Sequence, residues 1–380
     1  AEKGDDTPIE WVHRDERYAE KLATPDVTVA DLIGDLDPIK AANLKLSFND
    51  ERVIHFGLIP RSNRCIFVIN ELPDLQPRIQ VSLFNILQEG DIQIRGFKLR
   101  LPLDIQFVFT ANPEDYTNRG SIVTPLKDRI QSQIITHYPN SVEEASRITQ
   151  QEVRVPDGQD QITIPPLLEE LVEQIAFAAR NNDMVDQKSG VSARLTISAM
   201  ELLRSAVEFR MISTGESSAV ARVSDLFAVV PAITGKVELV YEGEQEGAKS
   251  VAFQLAGKAI RRSFPMYFPD PESFRRSTED NPYLGVVSWF NEHEVEFHDD
   301  MTEEEYRQEI DKVGGLKGII DKYVRPADDA QRYLFSELVL FGLAEYSKIS
   351  SVHYDRGVTF SDLLNSVFSA GEEDDDESIF

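Results

Sequence analysis

The chain has 380 residues, 41% of them hydrophobic and 28% charged, with a formal net charge of −27. That length makes two or three domains around substantial cores. So acidic a chain repels nucleic-acid phosphates, which excludes a broad backbone interface and leaves open only a local basic patch or pore.

Residues 1–25 are charged and mixed, and the spacing around Arg14–Leu22 predicts helical character. The opening Ala1-Glu2-Lys3-Gly4-Asp5 is polar and holds no signal-peptide core. No apolar run approaches the roughly 20 residues needed to span a bilayer. The single cysteine, Cys65, rules out a disulfide within the chain and reads as a small buried residue of a reducing compartment. The expected location is the cytoplasm.

From Val27 to Arg64 short apolar pieces alternate with turns. Cys65-Ile66-Phe67-Val68-Ile69 then reads as a buried strand that stops at Asn70-Glu71. A helix follows, with Ile79, Leu83, Ile86 and Leu87 on one face and Gly90 as its stop. Ile92, Ile94, Phe97, Leu99 and Leu101 alternate with polar residues around Arg95-Gly96, the pattern of a β-hairpin. A second apolar strand, Ile105-Gln106-Phe107-Val108-Phe109, ends in Thr110-Ala111-Asn112-Pro113. Strands that are apolar along their length and polar only at the carboxyl end belong to parallel α/β sheets, which bind ligands off those ends.

Beyond about Asn140 the pattern turns helical, over Pro166–Arg180, Arg194–Met211 and Ser217–Val230. Lys236–Glu242 alternates like a short strand, with a helix still open. Ala248–Phe264, Thr302–Tyr323 and Ala330–Tyr346 read as helices, and Phe360–Phe368 as a last short one capped by Ser361. The run Glu372-Glu373-Asp374-Asp375-Asp376-Glu377 reads as a disordered, solvated tail. His293 and His298 are five residues apart, so neither a helix nor a strand places both on one face, and a shared metal is not expected.

The order of strand ending in acid, helix, hairpin, strand ending in asparagine, then Leu126-Lys127-Asp128-Arg129 resembles an AAA+ ATPase. Within that superfamily the chain most resembles the ATPase (I) subunit of magnesium chelatase and its MoxR-type relatives, over roughly residues 27–212. Asp31-Leu32-Ile33-Gly34-Asp35-Leu36-Asp37 and Gly57-Leu58-Ile59-Pro60-Arg61-Ser62-Asn63-Arg64 carry the likeness beyond the generic motifs.

The resemblance implies the site. Glu71, at the end of the Walker B strand, would orient or deprotonate the water attacking the γ-phosphate of ATP. Asn70 stands where the family usually has Asp; its amide oxygen can still accept from the water shell of Mg²⁺ but brings no charge to the metal. Asn112 corresponds to sensor 1, Arg129 to the arginine finger that reaches a neighbouring subunit, and Arg194 to sensor 2 at the start of a lid helix. Arg64 and Arg119 are further candidates for the face between subunits. Taken singly, Asn70 and Glu71 also read as helix caps, Asn112 as the turn residue before Pro113, Arg129 as a surface partner of Asp128 and Arg194 as an exposed helix residue. The shared order of the motifs carries the nucleotide-site reading.

A phosphate-gripping Gly-x-x-x-x-Gly-Lys-Ser/Thr run is absent; Val313-Gly314-Gly315-Leu316-Lys317-Gly318 has the wrong spacing and lies far downstream. The expectation is a fragment of a longer ATPase whose first strand and P-loop lie upstream, with no apolar strand among the first 26 residues and negligible turnover by this chain alone. The expected architecture is α/β: an AAA+ parallel-sheet core over 1–150, a helical lid over 151–235, a mainly helical accessory domain over 236–370 and an acidic tail over 371–380. The implied whole is a hexameric ring that binds ATP and Mg²⁺ between subunits. It would remodel a partner protein, such as one with a von Willebrand factor A domain, or a metal-insertion complex. The alternatives are a non-catalytic AAA+-derived scaffold and a transcription activator, although the activators' Gly-Ala-Phe-Thr-Gly-Ala loop does not occur.

Overall fold

The computed structural model describes residues 4–47, 50–94, 100–112, 121–274, 280–354 and 356–363. Asn112 therefore lies within the description, whereas Arg119, the hairpin tip and the acidic tail lie outside it. The chain divides into two compact units, Ala1–Thr136 and His137–Phe380. The architecture is mixed α/β, with a parallel-strand core, helical insertions and a largely helical C-terminal region.

In the first unit, β1 (Tyr18–Leu22) is a strand, not the predicted helix. Its exposure alternates residue by residue, with Tyr18, Glu20 and Leu22 on the open face, and it forms the edge of the sheet. It also means that the first 26 residues do contain a strand. Next come β2 (Gly34–Leu36), β3 (Ile54–Phe56), β4 (Ile66–Asn70), β5 (Asp91–Gln93), β6 (Arg100–Pro102) and β7 (Gln106–Phe109). The central sheet has the order β1-β4-β7, with both pairs parallel. β2 pairs with β3, and β5 with β6, each antiparallel; the latter pair forms the arms of the predicted hairpin.

The helix after β4 is in two pieces, Pro77–Ser82 and Phe84–Glu89, with Ile79, Leu83 and Ile86 buried beside Phe67 and Ile69 of β4. Gly90 ends the second piece at φ 66°, a conformation that glycine adopts without Cβ strain. Cys65 is half-buried, and its thiol donates to the Glu16 carbonyl at 3.3 Å. No described helix is long and apolar enough to cross a membrane.

The second unit packs its helices around one core that runs from Ile162 to Phe360. Pro166–Ala179, Arg194–Thr214, Ala248–Ser263 and Asp329–Glu345 are its longest helices. The predicted helix over Ser217–Val230 is instead a strand and a 3-10 turn. β8 (Ile162–Thr163) pairs in parallel with β9 (Ala219–Val220), and Ser224–Val229 is the turn. Tyr241–Glu246 is helical, so the alternation before it marks only a single bridge, Leu239 to Val185.

The Gly314-Gly315 pair divides Glu303–Lys312 from Leu316–Tyr323, and Gly315 holds φ 92° against Gly285. Thr302 and Glu305 form the reciprocal capping box that starts the former helix. β10 (Val295–His298), β11 (Ser350–Tyr354) and β12 (Gly357–Ser361) make an antiparallel sheet in the order β10-β12-β11. Phe360 and Ser361 thus end a strand where a helix start was predicted. His293 stacks on Trp289, and no group of metal-ligating side chains occurs among the described residues.

Candidate active site

β4 is apolar because both its faces are covered, with Phe67 and Ile69 fully buried, and its polar residues come only where the sheet ends. β7 lies alongside in parallel register, with Ile69 opposite Phe109. The residues that follow, Asn70-Glu71 on one strand and Thr110-Ala111-Asn112 on the other, therefore emerge side by side at the carboxyl edge. On the other flank the Asn70 carbonyl accepts from the Ala23 amide at 2.8 Å, just past β1.

Glu71 holds φ 55° and ψ 51°, the left-handed conformation. For a residue with a Cβ this costs on the order of 1–2 kcal/mol, and outliers of this kind cluster at functional sites. Three hydrogen bonds impose it. The Glu71 amide donates to the Thr110 hydroxyl at 3.1 Å, the Leu72 amide to the Thr110 carbonyl at 2.9 Å, and the Asp74 amide to the Glu71 carbonyl at 2.9 Å. The Thr110 hydroxyl in turn donates to Asn70 Oδ1 at 3.3 Å. Glu71 stands at the N-cap of the 3-10 turn Leu72–Asp74, yet its side chain makes no cap bond. Among the described residues its carboxylate has no hydrogen-bond or ion-pair partner. A helix-capping role for that carboxylate thus has no support, and among the described residues it stands open to a ligand or a water. Asn112 is exposed two residues beyond Thr110.

Arg129 is half-buried and does not pair with Asp128. Its Nε and Nη2 donate to Gln88 Oε1 at 3.1 and 2.7 Å, and its Nη1 donates to the Pro125 carbonyl at 2.7 Å. Its guanidinium sits 4.9 Å from the centre of the Phe84 ring. These described contacts run to the helix Phe84–Glu89 and to the short helix Thr124–Lys127 just before Arg129, and none reaches the ends of β4 and β7. Arg64 has φ 66°, donating its amide to the Asp104 carbonyl at 2.6 Å and accepting from Arg17 Nη1 at 2.9 Å. Arg194 belongs to the second unit, where it is the exposed first residue of Arg194–Thr214; its amide donates to the Ser192 hydroxyl at 3.2 Å.

The structure thus brings Asn70, Glu71 and Asn112 to one edge. Thr110, which sequence reasoning assigned no role, is what joins them. The signal available in the sequence was a hydroxyl residue two positions before the asparagine. Oxygen donors of this kind, a free carboxylate and an amide oxygen, suit Mg²⁺ that arrives with phosphate ligands and keeps much of its water.

Residues 12–130 match the family model of the AAA domain, dynein-related subfamily. None of the curated proteins matches the chain. Among solved structures, NtrX from Brucella abortus in complex with ADP is similar over 66% of this chain and 53% of its own, at 14% identity and a TM-score of 0.39. Another NtrX structure from Brucella abortus is similar over 42% and 36%, at 15% identity and a TM-score of 0.30. A complex of subunits BchI and BchD of magnesium chelatase is similar over 60% and 72%, at 17% identity and a TM-score of 0.29. The chain spans less than two thirds of the length of NtrX. The likeness to AAA domains rests on the matched segment, which carries Asn70, Glu71, Asn112 and Arg129 but not Arg194.

Proposed function

We propose that the first unit is the hydrolytic half-site of an AAA+ ATPase of the magnesium-chelatase and MoxR type, which couples ATP hydrolysis to remodelling of a partner protein or metal-insertion complex. The observation that carries this is the Glu71 carboxylate, unpartnered among the described residues and held in a strained backbone conformation beside the strand end that presents Asn112. Glu71 accepts a proton from the attacking water or orients it, and Asn112 holds that water against the γ-phosphate. Asn70 would accept from the water shell of Mg²⁺, and the bound metal would offset phosphate charge. Arg129, tethered to Gln88 and Phe84 rather than to its own strand ends, serves the site of the next subunit in a ring.

This chain carries no Gly-x-x-x-x-Gly-Lys-Ser/Thr run, so the test uses the full-length gene product. Glu71→Gln should lower kcat for ATP by at least about 100-fold with nucleotide binding retained, the scale of losing a general base. Arg129→Ala should do the same, and mixing the two inactive variants should restore turnover, because mixed rings contain interfaces with both residues intact. Undiminished hydrolysis by the Glu71→Gln protein would sink the proposal. A folded wild-type product without turnover would assign the chain to the scaffold class instead.

A further inference from the structure

We infer that Thr110 is the positioning residue of this site: its hydroxyl, placed between the Asn70 side chain and the Glu71 amide, fixes the left-handed turn at Glu71 and ties it to the strand end that presents Asn112. The inference rests on the hydrolytic reading for its purpose, but not for its geometry.

Thr110 uses every polar group it has. Its amide donates to the Ile69 carbonyl at 3.1 Å, which extends the β4–β7 ladder by one step. Its carbonyl accepts the Leu72 amide at 2.9 Å, past the turn. Its hydroxyl accepts the Glu71 amide at 3.1 Å and donates to Asn70 Oδ1 at 3.3 Å. One residue at β7's end therefore holds four successive residues, Ile69 to Leu72, at β4's end. Only a hydroxyl can both accept and donate there, and threonine adds the β-branch that fits an extended strand.

The left-handed region is disfavoured for glutamate, so losing the hydroxyl bond, one of the three that hold Glu71, shifts its backbone toward the extended region. Movement of Asn112 against a ligand is two covalent residues from Thr110 and one hydrogen bond from the Glu71 backbone. The clamp is thus the shortest described route by which the water-holding amide and the carboxylate keep a common geometry.

The test is amide hydrogen exchange, read by NMR on the whole chain, in Thr110→Val and Thr110→Ser proteins. Valine keeps the shape and loses both hydroxyl bonds; serine keeps them. Exchange at the Glu71 amide should accelerate by about tenfold or more in the valine protein, the scale of one lost hydrogen bond. The Glu71 backbone coupling constant should shift toward the extended value. Serine should restore both, and strand amides such as Val68 should stay protected throughout. If valine unfolds the strands, Thr110→Ser against Thr110→Ala repeats the comparison with one oxygen as the difference.

Wild-type protection at Glu71 without the hydroxyl, or no recovery with serine, overturns the inference. Glu71→Gln leaves the amide in place, so the two ideas fail separately. A lost clamp with hydrolysis still dependent on Glu71 removes the inference alone. An intact clamp with hydrolysis indifferent to Glu71 removes the hydrolytic reading alone.

Discussion

His353 sits in β11 with its imidazole 4.1 Å from the centre of the Phe227 ring, 4.9 Å from Phe253 and 6.1 Å from Phe341. Burial against these rings, with no charge to compensate, lowers its pKa from 6.5 to about 4. The unfolded chain therefore binds the proton more readily than the folded one. The stability this contributes is fully present above pH 6.5 and is lost as pH falls toward 4, by up to about 3 kcal/mol. Urea midpoints of the second unit should fall across that window, and His353→Phe should flatten the fall. An unchanged slope in that variant would show that another group is responsible. At the same scale, the sequence made Asn70, Glu71, Asn112 and Arg129 legible, because a polar residue at the end of an apolar strand is conspicuous. Thr110 was not legible, since a threonine at a strand end is ordinary until its hydroxyl is seen between two neighbours.

Packing between elements decides what a helix can carry. Gly342 lies in Asp329–Glu345 against Phe264, and a Cβ there would lie 2.2 Å from a ring carbon of that fully buried phenyl. Phe264 is itself wedged against Phe268, Tyr283 and Tyr346, so it has little room to move. Gly342→Ala should cost on the order of 1–3 kcal/mol, the usual penalty of overpacking, and lower the thermal midpoint of the second unit. A midpoint unchanged within error would show that the ring yields. The same helix buries Glu337, whose carboxyl accepts from the Val223 and Ser224 amides at 2.6 and 3.0 Å and from the Tyr306 hydroxyl at 2.9 Å. Burial pushes its pKa up, against those bonds.

Helices with long apolar periodicity were predicted close to where they stand. The elements that differ from the sequence pattern are those whose local structure is decided elsewhere. Tyr18–Leu22 is an edge strand only because β4 offers it a ladder, and β11 and β12 are strands through mutual pairing and β10. Val358, Thr359 and Phe360 suit a strand, but that it runs through Ser361, where a helix start is expected, is decided by pairing with β10 and β11.

At the scale of the molecule, the two units have separate cores, one drawn from residues 23–126 and the other from residues 162–360. Charge is divided unequally between them. The first unit has 16 basic and 21 acidic residues and the second 23 and 45, so an anionic nucleotide meets far less repulsion at the first. Residues 131–136 form neither helix nor strand, and Ile134 and Ile135 are 91% and 79% exposed. Brief thermolysin treatment should cut there first and leave two protease-resistant fragments, seen by intact mass. Degradation of either fragment as fast as the parent is first cut would show that its core does not stand alone.

The strained turn at position 71 also bears on descent. A glycine would relax that backbone at no steric expense, and an asparagine at little. In any copy of this gene released from selection for chemistry, random change should therefore drift toward those residues, since the altered product is folded at least as firmly. Glutamate retained at this one codon in distant copies would mark lineages still under pressure to turn over substrate, and its replacement by glycine would mark those that have stopped.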